Sequence, residues 1–371
     1  MQDYSKLSDI ELISLREKYE FDIAKFNNFQ LVRKIQLNSA YGAVGNEFFR
    51  YYSTELAEAV TLTGQLIIQY IAVQLNEFIN DVLGTKNCDY IVYSDTDSVY
   101  INMEKIVDKF CKNRTDVEKV DYIDSICKKI MDPFIEKQFK KLASRMNAYE
   151  NKITMEREVI ADKGIWVAKK RYMLNVWDSE GIRYSNPKQK IMGIETTRSS
   201  TPELVRKKLK EAIHIILNKD ESDLVDFVNE FKKEFFAMTP EQIAFPRSVN
   251  GLDKYKDKDQ IYKKGTPIAV KGALLYNHYI TKKNLGKKYN KIFEGEKIKF
   301  IYLKKPNPLA GYKGDDCVIA FPNKIPKEFG IEPFVDYSLQ FEKTFIDPLT
   351  TILDTIGWSH EEKSTLESLF I

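Results

Sequence analysis

A chain of 371 residues exceeds one ordinary hydrophobic core, and a hydrophobic share of 43% supports packed globular folding in about two or three domains rather than disorder. Four cysteines, at 88, 111, 127 and 317, and three histidines are scattered without paired spacing, which excludes a zinc finger or a disulfide framework and fits a reducing cytoplasm. The net charge of +3 conceals a division: residues 1–150 carry 19 Lys/Arg against 23 Asp/Glu, whereas residues 151–371 carry 38 against 31.

The first residues carry no apolar leader, and no run is expected to reach the length of a membrane span; the apolar stretch 67–71 reads as part of an amphipathic helix. Ser8 and Glu11 form a capping box, and Leu12, Leu15, Tyr19, Ile23 and Phe26 follow at helical spacing. This predicts a long helix over 8–42, with Gly42 as its stop. On that helix Lys34, Asn38 and Tyr41 stand at i, i+4 and i+7 and share one face. A cation, an amide and an aromatic in line suit a nucleoside triphosphate: Lys for the phosphates, Asn for a polar edge, Tyr for a sugar or base. The same spacing also describes a snorkelling lysine and a packed tyrosine on a surface helix.

A second long helix is predicted over 54–82, ending at Gly84. The run Tyr93-Ser94-Asp95-Thr96-Asp97-Ser98-Val99-Tyr100 then places two carboxylates one residue apart between β-branched and aromatic segments. It predicts a hairpin over 89–103 with the acids at its tip. Mg²⁺ is typically held by one or two carboxylates plus substrate phosphates, and such a tip offers both acids with little backbone freedom. An EF-hand is excluded, because Val99 and Tyr100 occupy positions where a further oxygen ligand and a glycine are needed. Ordinary turn chemistry by the aspartates stays open as a reading.

Further helices are predicted over 117–146, followed by a β-hairpin with strands near 165–177 and 182–186 joined by Asp178-Ser179-Glu180-Gly181. Thr201-Pro202-Glu203 opens a basic amphipathic helix to Asn218, and Thr266-Pro267 repeats the device before 268–281. Lys254, Lys256, Lys258, Lys263, Lys264, Lys282, Lys283, Lys287 and Lys288 cluster among Tyr255, Tyr262 and Tyr289. Such lysines suit salt-dependent phosphate contacts, or simply solvate their surfaces. Short strands near 297–303 and 316–321 and a helix over 334–356 complete the chain.

The segment Lys34-x-x-x-Asn38-Ser39-x-Tyr41-Gly42 is similar to motif B, and Tyr93-Ser94-Asp95-Thr96-Asp97-Ser98 to motif C, of the family-B DNA polymerases, in particular the replicative enzymes of T-even-type bacteriophages. Order and separation match as well. Lys169-Lys170-Arg171-Tyr172 resembles the segment that grips the primer strand near its end. Lys190-Ile191-Met192-Gly193-Ile194-Glu195 and Glu342-Lys343-Thr344-Phe345-Ile346 extend the resemblance over essentially the whole chain.

The resemblance implies an α+β fold, a partial polymerase right hand. Fingers would span 1–46, an antiparallel-sheet palm with the metal-binding hairpin 47–193, and a mainly helical thumb 194–371. It implies Asp97 as the principal ligand for two catalytic Mg²⁺ ions, Asp95 in support, and Glu158 as a nearby carboxylate; Glu156 stands where Asp is usual. Lys34, Asn38, Tyr41 and Gly42 would bind the incoming dNTP, and Lys169, Lys170, Arg171 and Tyr172 the primer-template DNA. Leu369 and Phe370 resemble a peptide that docks on a sliding clamp, in a tail that reads equally as an end folded back on its own domain.

The family's motif A, which supplies the other metal carboxylate, is not found before Lys34, and Asp9-Ile10-Glu11 reads as helix capping rather than an exonuclease acid pair. The expectation is therefore a polymerase portion that is nearly inactive alone and works with a separate chain carrying motif A and the exonuclease, Met1 being a natural start, in an infected bacterial cytoplasm. A truncated remnant that holds primer-template DNA without chemistry is the alternative; a reverse transcriptase fits the two motifs less well.

Overall fold

The computed structural model describes residues 7–309 and 317–361, which form an α+β chain of two compact units, one running through Glu156 and the other starting at Arg157. In the first unit, α1 (Asp9–Val44) starts where the capping box places it: the Ser8 side chain accepts from the Glu11 N–H, and the Glu11 carboxylate accepts from the Ser8 N–H at 2.8 Å. The helix does not stop at Gly42. It continues through Ala43 and Val44 to cap at Gly45, since an internal glycine costs a helix only about 1 kcal/mol against alanine.

After a short turn, α2 (Thr54–Leu83) is capped by Ser53 and closed by Gly84 in the left-handed conformation, as its sequence predicts. By length and composition α2 is apolar enough to cross a membrane, against the expectation that no run would be. Almost none of that apolar stretch is buried, while the C-terminal half of the helix packs inside the unit: Ile71, Leu75 and Ile79 are buried, and the Phe78 ring stacks on Phe134 at 4.3 Å. Strands β1 (Ile91–Asp95) and β2 (Ser98–Ile101) form a two-stranded antiparallel ribbon. Helices α3 (Glu104–Cys111), α4 (Asp116–Ile126) and α5 (Asp132–Arg145) follow, the last two joined by a π-helical segment, Cys127–Met131. Ile79, Tyr90 and Ile106 make the small core under the ribbon.

The second unit opens with a three-stranded antiparallel sheet, β3 (Val159–Ala168), β4 (Arg171–Ser179) and β5 (Ile182–Met192), in that order. The single strand expected near 165–177 is thus two strands broken by a turn at Lys169-Lys170, which contains neither Gly nor Pro. Asp178, 1% exposed, ties the β4–β5 turn by pairing with Arg157 and Arg183 and accepting from the Gly181 N–H at 3.0 Å.

Helices α6 (Glu203–Asn218) and α7 (Glu221–Phe236) come next, the latter not foreseen from sequence, then α8 (Pro240–Ile243), β6 (Phe245–Ser248), α9 (Leu252–Tyr255) and a small ribbon of β7 (Lys256–Asp257) and β8 (Ile261–Tyr262). The core closes around α10 (Ile268–Lys282), which packs on a second sheet in which β9 (Lys297–Tyr302) lies between β6 and β10 (Val318–Phe321). At the chain's end α11 (Tyr337–Phe341) and α12 (Asp347–Ile356) flank a π-helical segment, Glu342–Ile346. Phe341 and Phe345 from this run pack with Phe231 and Phe235 of α7, at ring separations of 4.8 to 5.7 Å.

One surface of this unit is tied by Glu328. Its carboxylate accepts from Lys288 at 2.5 Å and from the Tyr289 hydroxyl at 2.9 Å, while Lys283 donates to its backbone carbonyl at 2.7 Å. The Lys288 bond, helped by its own backbone N–H and the tyrosine, lowers the Glu328 carboxyl from 4.5 to about 2. A depressed carboxyl contributes stability that is present above its unfolded value and is lost as pH falls through the folded one. Replacing Glu328 with Gln should therefore remove a stability loss that the native chain shows between pH 4.5 and about 2. Urea unfolding at stepped pH checks this; parallel curves for the two proteins would refute the assignment.

Candidate active site

The two aspartates sit where the ribbon turns. Asp95 pairs with Ser98 across the end of the ladder, leaving Thr96 and Asp97 as a two-residue loop. Such loops favour Asn-Gly or Gly at their positive-φ positions, yet here the β-branched Thr96 takes φ +54°. The turn is fastened locally: the Asp97 N–H donates to the Asp95 carbonyl at 2.6 Å, the Thr96 hydroxyl to Asp95 Oδ1 at 2.9 Å, and the Ser98 hydroxyl to the Asp95 carbonyl at 3.1 Å. Strain of roughly 1–3 kcal/mol persists at such a residue only where its surroundings over-determine it. The result is a half-buried Asp95 and an exposed Asp97, one residue apart on a stiff tip. The Tyr93 and Tyr100 rings, 5.6 Å apart, pair across the strands behind them.

Below the tip, the ribbon is fixed to α2 by two asparagines that the sequence reading passed over. Asn76 Oδ1 accepts from the Tyr90 N–H at 2.8 Å; Asn80 accepts from the Cys88 N–H at 3.1 Å and donates to the Cys88 carbonyl at 2.8 Å. Tyr90 is 4% exposed, and its hydroxyl meets the Thr85 hydroxyl at 2.9 Å. An Asn-x-x-x-Asn pair on the packed half of an apolar helix was the available signal, since a polar group placed there needs a partner.

On α1, Lys34, Asn38 and Tyr41 are all exposed along one face, as their spacing predicts. Gly42 lies just past them, and a Cβ built on it meets nothing within 4 Å. Hard oxygen ligands at the tip fit part of a Mg²⁺ coordination shell, whose remainder substrate phosphates and water usually supply. Among the described residues no group of three or more acidic, His or Cys side chains gathers.

The remaining predicted residues lie in the second unit. Glu158 accepts from Lys190 at 2.6 Å, so its carboxylate is engaged within the β3–β5 sheet. Lys169 and Lys170 are exposed on the β3–β4 turn, with Lys170 at φ +61°. Arg171 instead turns to Glu195, 2.8 Å away, and Tyr172 is buried at 7% exposure. Of the lysine clusters, Lys263 donates to the Lys254 carbonyl at 2.7 Å and Lys282 lies over the Tyr279 ring at 5.7 Å, while Lys256, Lys258, Lys264 and Lys287 are exposed. The clamp-type residues Leu369 and Phe370 lie outside the described residues.

Comparison with known proteins adds an independent line. The model of DNA polymerase family B matches residues 13–119, which contain both the Lys34 face and the aspartate tip. The chain is 36% identical to the DNA-directed DNA polymerase of Enterobacteria phage T4, over 100% of this chain and 42% of that protein. It is 39% identical to the DNA-directed DNA polymerase of Escherichia phage RB69, over 92% and 38%, respectively. A DNA polymerase delta catalytic subunit of Oryza sativa subsp. japonica is 23% identical over 91% of the chain. The chain thus spans about two fifths of the length of the phage relatives it matches.

The exposed lysine turn depends on one distant glycine. A Cβ on Gly193, which has φ +67°, would sit 2.0 Å from the Lys170 carbonyl oxygen. The turn closes over β5 only because that side chain is absent. Gly193→Ala should lower stability by more than about 2 kcal/mol, combining positive-φ strain with a backbone clash. Denaturant unfolding measures it, and a loss within error of zero would show that the turn adapts.

Proposed function

The chain belongs to family B of the DNA polymerases, and we propose that it carries the nucleotide-binding, metal-binding and primer-gripping parts of a template-directed DNA polymerase. The observation that carries this reading is the strained, solvent-facing turn that presents Asp95 and Asp97 from a rooted ribbon. In the proposed reaction the primer 3′-hydroxyl oxygen forms a bond to the α-phosphorus of a dNTP, the bond to pyrophosphate breaks, and the hydroxyl proton is lost. Asp97, with Asp95 in support, would hold the catalytic Mg²⁺ ions. Bound divalent cations in such sites neutralise phosphoryl charge and make the attacking hydroxyl more acidic.

Lys34 would place a compact positive charge on the triphosphate, Asn38 would face its polar edge, and Tyr41 with Gly42 would shape the space beside the base. Lys169 and Lys170, exposed on their turn, would meet the primer backbone, with Arg171 and Tyr172 supporting the turn from within the sheet. Under this reading residues 1–46 serve as fingers, 47–193 as palm and 194–371 as thumb, with Glu158 as a further palm carboxylate. Leu369 and Phe370 would dock on a sliding clamp, and the whole would act in the cytoplasm of an infected bacterium.

The second metal carboxylate would come from a polymerase segment outside this sequence, on the same or another polypeptide. Helix α1 supports this, since none of its 36 residues is buried and Phe21, Ile23, Phe26 and Phe29 are 54 to 68% exposed. Apolar surface on that scale marks a covered face. A primer-template-holding module without chemistry is the second reading, favoured by the lack, among the described residues, of any group of three or more acidic, His or Cys side chains that could hold a metal ion.

Magnesium-dependent primer extension by this chain, alone and mixed with a polymerase segment bearing a motif A carboxylate, separates the two. Extension only in the mixture is expected. Binding of primer-template without extension in the mixture would favour the holding module, and extension by the chain alone would refute an external carboxylate.

Within the active mixture, Asp97→Asn should cut extension by about two orders of magnitude or more with DNA affinity kept, because it removes charge that acts in the transition state. Lys34→Ala should chiefly raise the dNTP concentration needed; unchanged dNTP kinetics would return that lysine to an ordinary surface role. Gly42→Ala should stabilise the chain by about 0.5–1 kcal/mol, the helix gain with no steric cost, while impairing dNTP use. Unfolding and steady-state kinetics on one preparation test both halves.

A further inference from the structure

We infer that Asn76 and Asn80 are positioning residues for the aspartate tip: a pair of helix amides that sets the height and tilt of the ribbon carrying Asp95 and Asp97. The inference rests on the polymerase reading for its consequence, though not for its geometry.

Two periodicities meet at this joint. Asn76 and Asn80 are one helical turn apart, which is a rise of roughly 6 Å. Cys88 and Tyr90 are two residues apart, a span of at most roughly 6.6 Å. The match lets consecutive asparagines read alternate residues of one chain edge. Asn80 engages both the N–H and the carbonyl of Cys88, at 3.1 and 2.8 Å, as a strand partner would, and Asn76 takes the Tyr90 N–H at 2.8 Å.

Asn80 is also tied to the helix backbone and to the far limb. Asn80 Nδ2 donates to the Asn76 carbonyl at 2.9 Å, and the Thr85 hydroxyl bridges Asn80 Oδ1 and the Tyr90 hydroxyl, each at 2.9 Å. The Tyr90 carbonyl accepts from the Asn102 N–H at 2.8 Å, so fixing Tyr90 fixes the root of the returning strand too. Tyr90 itself is buried against Ile79 and Ile106.

The lever above this joint is long. Five residues separate Tyr90 from Asp95, a reach of roughly 17 Å. A tilt of about 10° at the root would move the tip by roughly 3 Å, when a misplacement of about 1 Å is enough to cost 100-fold in rate. An isolated two-stranded ribbon is only marginally stable, so its attachment decides where the acids stand.

The test compares Asn76→Ala and Asn80→Ala with Ile123→Val, a core change in the same unit that lowers stability without touching the joint. In the 371-residue chain, amide hydrogen exchange over residues 86–102 should rise at least about tenfold in the asparagine variants and stay near native in Ile123→Val. In the extending polymerase, single-turnover incorporation should fall at least about tenfold and half-saturating Mg²⁺ should rise, with dNTP and primer-template affinities held within about twofold.

Unchanged exchange over 86–102 would overturn the inference, as would an equal rate loss in Ile123→Val at matched thermal stability. If Asn80→Ala does not fold, Asn80→Asp carries the comparison, since it keeps the acceptor for Cys88 and Thr85 and loses the donor. Failure of the native polymerase to extend primers would strike the functional reading alone; the exchange measurement would still decide the anchoring.

Discussion

Two side-chain amides on α2 satisfy the backbone at the root of the ribbon, and the exposed turn above them depends on that attachment. The Cys88 N–H and carbonyl and the Tyr90 N–H all meet a helix whose Ile79 is buried against Tyr90. Left unpaired there, each such group costs about 1–3 kcal/mol. Asn76 and Asn80 supply the partners, which commits the ribbon to one position on the helix. Slippage by a single residue would exchange the N–H groups that meet the amides and reverse every side chain along β1. The strained Thr96 turn then has a fixed base from which to present its carboxylates.

The two long helices of the first unit solve opposite problems. α2 uses polar residues within a packed face to hold backbone, while α1 carries aromatic and branched residues and buries none of them. The stability of α1 in isolation has to come from its ends and surface, the Ser8–Glu11 box and the Arg16–Glu20 pair, each worth about 1 kcal/mol or less. Such a helix is poorly served alone. Its exposed apolar residues make sense beside its Lys34, Asn38 and Tyr41 face if one side meets substrate and another is covered by more of a polymerase, which the phage relatives' greater length accommodates.

In the second unit the lysine turn shows how a contact distant in sequence permits a local shape. Nothing within Trp166–Tyr172 signals a break: the run is apolar or basic, without Gly, Pro or Asn, and reads as one strand. Lys170 nevertheless adopts a positive φ, and its carbonyl rests where a side chain on Gly193 would be. Arg171 is drawn to Glu195 and Tyr172 inward, so the four-residue basic segment divides into two exposed lysines and two residues that brace them.

Features whose causes lie within a few residues were legible in the sequence. The start of α1 at the Ser8–Glu11 box, the end of α2 at Gly84, the Lys34–Asn38–Tyr41 face and the aspartates at a hairpin tip all follow from capping, helical period and turn chemistry, and the two motifs pointed to the family. What tertiary structure alone decided involves partners far apart along the chain. Asn76 meets Tyr90, Lys170 meets Gly193, and Glu158 meets Lys190. Local pattern fixes which backbone shape is cheap; only the packed fold determines which buried polar group must find which partner, and so where the aspartates finally stand.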